Sequence, residues 1–158
     1  MKLYMIEPEV AGEIGEKTVY ENYDAIVNDG EIAVITHLHF VFMGWLGDDV
    51  LEVTPCFLIS DRLKNAIEKS DLKGYEFEDI EISLSDDYLE MYPNRETPSF
   101  YRVIPKGTIK IQDETYYDWD NMDFCITEKA YLVLTEKAIN IFKQFQIDNA
   151  DVTELLPQ

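Results

Sequence analysis

The chain has 158 residues, 46% hydrophobic and 13% aromatic, with 32 acidic against 13 basic side chains and a formal net charge of −19. That apolar content supports one folded domain spanning 1–158 and excludes a disordered chain despite the charge. The charge argues against nucleic acid and against an anionic membrane surface, because both carry phosphate, and it favours a basic protein as partner through faster encounter.

Residues 2–6 (KLYMI) predict a first strand. The acid and proline that follow do not fit a secretory signal, and no apolar run approaches the roughly 18 residues of a membrane span, so the expected location is cytoplasmic. Residues 21–30 predict a short helix ended by Gly30. Residues 31–42 alternate, placing Ile32, Val34, Thr36, Leu38 and Phe40 on one face and His37 and His39 on the other, towards water. A strand at 56–59 (CFLI) leads into a helix at 61–71. Residues 80–84 alternate again. Strands at 100–104 and 108–112 flank PKG, which suits a tight turn. A short strand at 122–126 is followed by one at 130–134 (AYLVL) and a helix at 136–146. Loops are expected at 7–19, 44–54, 85–99 and 113–121.

One phrase occurs twice. Shifted by 75 positions, LISDRLKNAIEKSDLKGYEFEDI (58–80) falls on VLTEKAINIFKQFQIDNADVTEL (133–155). Ser60 meets Thr135, and both are good helix caps. Asp61 and Glu136 follow, in the first turn where the helix dipole favours a carboxylate. Leu63, Ala66 and Ile67 meet Ala138, Ile141 and Phe142, one apolar face in each case. Gly74 meets Asn149, two residue types that accept the left-handed conformation ending a helix. Each phrase thus reads as strand, capped helix and stop. The expected fold is α/β or α+β: a single domain with a mixed β-sheet and two similar strand–helix units, near 56–82 and 130–155, packed on it.

No sequence motif supports catalysis. His37 and His39 could begin a metal site, but no third ligand is indicated, so the metal expectation is none. DWDNMD (118–123) opens like a calcium loop, yet Asp123 and Lys129 occupy the positions that need Gly and Glu. Ser60 has a cap's surroundings rather than those of a nucleophile elbow. Cys56 and Cys125 show no metal or redox spacing and read as buried free thiols. Asp48 or Asp49 is expected to brace the 44–54 loop by accepting backbone hydrogen bonds. No cofactor is expected.

What remains is surface. Residues 74–94 carry seven acids and no Lys or Arg, and residues 111–128 carry six and none. The second stretch also holds Tyr116, Tyr117 and Trp119, and acids mixed with large aromatics suit a protein-binding patch. The candidate contacts are Asp113, Glu114, Tyr116, Tyr117, Asp118, Trp119 and Asp120, then Asp86, Asp87 and Tyr88.

The succession WLGDD, PCFLISDRL, LKGYEFEDIEI, PSFYRV, DWD and YLVLTEKAINIF resembles bacterial immunity proteins of polymorphic toxin systems, over roughly residues 44–156. The resemblance implies a small, non-enzymatic protein that binds and neutralises a cognate toxin domain. It supplies no active site. Two other expectations compete with it: a small-ligand module with a pocket at Phe40, Phe42 and Trp45, and an enzyme built on paired acids or the histidine pair.

Overall fold

The computed structural model describes residues 1–44 and 47–158. In chain order its elements are β1 (Leu3–Glu7), β2 (Gly12–Ile14), β3 (Val19–Tyr20), α1 (Tyr23–Asp29), β4 (Ile35–His37), β5 (His39–Phe42), β6 (Val50–Val53), β7 (Cys56–Ser60), α2 (Asp61–Glu68), β8 (Tyr75–Glu78), β9 (Glu81–Leu84), α3 (Asp86–Met91), β10 (Phe100–Pro105), β11 (Gly107–Thr108), β12 (Lys110–Gln112), β13 (Thr115–Tyr117), β14 (Phe124–Ile126), β15 (Leu132–Thr135), α4 (Glu136–Phe142) and β16 (Asp151–Pro157).

The repeated phrase folds the same way twice. Ser60 Oγ accepts from the Leu63 N–H and Thr135 Oγ1 from the Ala138 N–H, each at 3.3 Å, so both helices start at their predicted caps. Leu63 and Ile67 of α2 and Ala138, Ile139 and Phe142 of α4 are buried, and a fully buried Leu or Ile contributes about 2 kcal/mol. The stops differ from expectation. The helices end at Lys69 and Lys143 in right-handed conformation. Gly74 is left-handed with φ 93°, but Asn149 is not among the positive-φ residues and instead donates its N–H to Asp48 Oδ2 at 2.8 Å.

The duplication extends far beyond the phrase. One sheet has the antiparallel order β6-β7-β10-β8, and the other repeats it as β14-β15-β1-β16. The registers correspond. Ser60 faces Phe100 as Thr135 faces Leu3, and Glu78 faces Arg102 as Thr153 faces Met5. Past these strands, β9 pairs β5 in parallel and β5 pairs β2 antiparallel, just as β16 pairs β13 and β13 pairs β12. Phe40 faces Ile82 and Ile14 as Tyr116 faces Pro157 and Ile111. The first strand of each half lies in the other half's sheet: β1 between β15 and β16, β10 between β7 and β8. The fold is α+β with mixed sheets, as expected; its strands lie in sheets of seven, four, three and two, and the two largest exchange a strand.

The four-stranded and three-stranded sheets together curl into a first ring, and the seven-stranded sheet into a second. In the second, the end strands β11 and β12 are separated only by Ile109, so the sheet closes on itself. In the first, β8 runs on into β9 after two residues, and Glu9, just ahead of β2, bridges Leu51 of β6. The exchange also corrects the reading of PKG as a tight turn: only Lys106 separates β10 from β11. Both edges of β10 are already paired, so the chain cannot fold back beside it and crosses to the other ring. Gly107 makes that crossing possible, since a Cβ there would lie 2.6 Å from the Phe124 carbonyl oxygen.

Alternation along the strands divides the core in three. One face of each sheet meets α2 and α4 in a shared centre that includes Phe57, Ile59, Val103, Phe124, Leu132 and Leu134. The interior of the first ring holds Phe40, Phe42, Leu58 and Phe100, and that of the second holds Leu3, Ile109, Cys125, Val133 and Leu155. The halves differ most between β2 and β5, where residues 15–38 intervene, against Asp113 and Glu114 alone between β12 and β13. The expected loops at 7–19, 44–54, 85–99 and 113–121 contain β2, β6, α3 and β13. β2 and β13 have three residues each, β6 four and α3 six, too few for a hydropathy period to show.

Two aspartates lock the exchange. Asp49 Oδ2 accepts from the Gln146 N–H, its Oδ1 from Ser60 Oγ, and its carbonyl from the Ser60 N–H. Asp123 repeats the pattern with the Lys73 N–H, Thr135 Oγ1 and the Thr135 N–H. Each aspartate thus ties the cap of its own helix to the chain leaving the other half's helix. The expected bracing role of Asp48 and Asp49 takes this form.

Candidate protein-binding site

The acidic–aromatic stretch forms the β12–β13 hairpin and the loop after it. Asp113 turns the hairpin with φ 56°, and Asp118 and Asn121 turn the loop with φ 51° and 70°, a conformation that Asp and Asn accept more readily than most residues. Within the loop, Asp120 accepts from the Thr108 N–H at 2.9 Å and the Met122 N–H at 3.2 Å. Trp119 Nε1 donates to the Met122 carbonyl at 3.0 Å. Trp119 also meets Tyr116 edge to face at 6.3 Å, and both pack on the core of the second ring. Asp120, Trp119 and Tyr116 therefore build the loop. Asp113, Glu114, Asp118 and Tyr117 are exposed. Lys110 Nζ lies 3.7 Å from Asp118, but both are half exposed or more, so the pair neutralises little.

Beside this hairpin opens a groove of about 380 Å³. It lies between the β12–β13 hairpin and the β14–β15 turn. Met5 and Ile111 are apolar lining, Tyr117 and Tyr131 are aromatic lining, and Glu7, Asp113 and Glu128 supply carboxylates, with Lys110 and Lys129 as countercharges. Tyr117 is 36% exposed and Tyr131 39%. The turn is set by Ala130 at φ 65° and by Thr127 Oγ1, which accepts the Tyr131 N–H. Sequence reasoning missed Glu7, Glu128 and Tyr131. They come from β1 and the β14–β15 turn, and no local pattern links them to residue 113.

The second predicted patch is not assembled as expected. Asp86 and Asp87 are exposed in the first turn of α3, which Ser85 caps. Tyr88 is 0% exposed, packed against Phe42 and Tyr92. It is a core residue of the first ring and is withdrawn as a contact. The helix places every third or fourth residue inward, and Tyr88 is the apolar one that the ring interior needed. Nothing brings this patch together with the hairpin, which belongs to the second ring.

The competing sites fare differently. Phe40 and Phe42 are 0% exposed and meet edge to face at 4.8 Å in the first ring's interior, so among the described residues these two rings offer no surface to a ligand; Trp45 lies outside the described residues. His39 is buried rather than facing water. Its Nδ1 accepts from the Lys17 N–H, which places the proton of the neutral ring on Nε2, as donor to Ser83 Oγ at 2.7 Å. That is the reverse of what a serine nucleophile needs. His37 pairs with Glu81 at 2.8 Å. Among the described residues no three His, Cys, Asp or Glu side chains are placed to hold a metal ion, and no helix is long and apolar enough to cross a membrane. The insertion at 15–38 presents Tyr23, Val27, Ile32 and Val34 to solvent, a feature the alternation argument had turned inward for Ile32 and Val34. The chain matches no protein-family model, and comparison with curated proteins and with solved structures finds no match.

Proposed function

We propose that the protein is a non-enzymatic inhibitor, an immunity protein that binds and neutralises a basic bacterial toxin domain in the cytoplasm. The observation carrying this reading is the convergence of Glu7, Asp113 and Glu128 with Tyr117 and Tyr131 on one open groove. Exposed tyrosines give anchoring area, and carboxylates speed the encounter with a cation-rich surface. The net charge of −19 extends that field over the whole molecule and disfavours nucleic acid as the direct ligand. The test is co-purification with the product of the reading frame adjacent to its own, followed by charge reversal. Asp113→Lys with Asp118→Lys should slow association about tenfold or more at low salt and flatten its salt dependence. Unchanged association would remove this face from the interface.

A further inference from the structure

The duplication supplies an internal reference for the groove. By strand register, Met5, Ile111, Thr127 and Tyr131 of the second ring correspond to Arg102, Ile14, Val53 and Cys56 of the first. In the first ring that mouth is not open. The insertion folds over it, and β4 delivers Ile35, only 4% exposed, into the cluster that contains Val53 and Cys56, with Ile14 packed against it. Arg102 Nη1 donates to the Ile35 carbonyl, so the plug is held by its backbone as well as by its side chain. The second ring has no insertion, and its corresponding mouth is the groove of about 380 Å³.

We propose that the open mouth of the second ring receives an extended segment of a partner protein, which inserts an aliphatic side chain as β4 inserts Ile35, with Lys or Arg on either side of it. The inference rests on the inhibitor reading for the identity of that partner. It adds the mode of recognition. Shape points to an extended chain, because an extended chain is what fills the equivalent mouth. Charge selects its flanks, because the rim carries three carboxylates, Glu7, Asp113 and Glu128, against Lys110 and Lys129, where the first ring presents Arg102 to its own plug. A second copy of this chain is a poor occupant. Its own Ile35 is already buried, and two chains of net charge −19 repel.

The probe is a seven-residue peptide copied from residues 31–37 with Glu31→Lys and His37→Lys, titrated into the full chain and followed by amide NMR. The expected result is saturable shifts at Met5, Ile111, Thr127 and Tyr131. Affinity should fall about tenfold with Glu7→Lys plus Glu128→Lys, a loss of about 1.4 kcal/mol. Met5→Trp should block binding, and Ile111→Trp, from another strand of the mouth, serves if Met5→Trp does not fold. Absence of shifts at millimolar peptide, or shifts untouched by a folded Trp variant, overturns the proposal. The two readings separate in one comparison. Capture of the toxin domain that survives Met5→Trp but not reversal of Asp113 and Asp118 sinks the inserted segment and keeps the inhibitor. Peptide binding in the mouth with no capture of the toxin domain keeps the inserted segment and sinks the inhibitor.

Discussion

Replacing Asp49 by Ala tests the lock between the exchanged halves. Asp49 is 4% exposed and accepts from Ser60 Oγ at 2.6 Å, Arg62 Nε at 2.7 Å, Arg62 Nη2 at 2.6 Å and the Gln146 N–H at 2.8 Å. Hydrogen bonds to a charged group are worth roughly 1.5–3 kcal/mol each, and an orphaned amide costs a further 1–3. The Arg62 side chain is 64% exposed, so water replaces its partner and its share is discounted. The net expectation is a loss of about 3 kcal/mol, a large part of the roughly 5–15 kcal/mol that holds a domain together. Asp123→Ala removes the equivalent bonds from a more exposed site and should cost about half as much. The assay is urea unfolding of wild type and both variants across pH. Burial pushes the Asp49 carboxyl up, but the donors from Arg62, Ser60 and Gln146 outweigh it and hold the group below its ordinary value. A carboxyl depressed on folding stabilises above its unfolded pKa and loses that contribution as pH falls through the folded one. The gap between wild type and Asp49→Ala should therefore be full at neutral pH and narrow in acid, below about pH 4. A cost under about 1 kcal/mol, a larger cost for Asp123→Ala, or a gap of unchanged size in acid would refute the reasoning.

Three further outcomes are expected. Tyr88→Phe should leave stability unchanged or raise it by about 1 kcal/mol in the same unfolding assay, because the buried Tyr88 hydroxyl has no hydrogen-bond partner among the described residues. Cys56 and Cys125 should resist a thiol reagent at neutral pH until the protein unfolds, since burial pushes their thiols up to about 11 and about 12 and both are covered; rapid labelling of the native chain would contradict the packing of both ring interiors. Gly107→Ala should destabilise by about 1–3 kcal/mol through steric conflict, as its Cβ would meet the Phe124 carbonyl and Cys125 Sγ at 2.6 and 2.7 Å.

Local grammar was legible wherever one residue type suffices to explain a local geometry. Ser60 and Thr135 cap helices because a hydroxyl at that position reaches the N–H three residues on. Gly30 ends α1 at φ 65°. Of the candidate site, Asp113, Glu114, Tyr117 and Asp118 were legible as acids and an aromatic on a surface loop, and all four are exposed. Glu7 was not, because it reaches the groove only after β1 has crossed into the other half's sheet, nor were Glu128 and Tyr131, whose turn meets the hairpin only when the ring forms. Tyr88 and His39 were misplaced because polar-tipped side chains give no hydropathy signal of which way they point.

The order of residues alone determined that two strand–helix units of one design would form, with their caps, apolar faces and acidic surface, since these depend on neighbours within a helical turn or along a single strand. Only the tertiary structure decided that β1 and β10 trade places, that Asp49 and Asp123 each clasp the opposite half, and that one ring is plugged while the other stays open. Those outcomes depend on which edges find partners across about a hundred residues of chain, from Leu3 to Thr135 and from Asp49 to Gln146. A strand carries the same alternating pattern whichever sheet receives it.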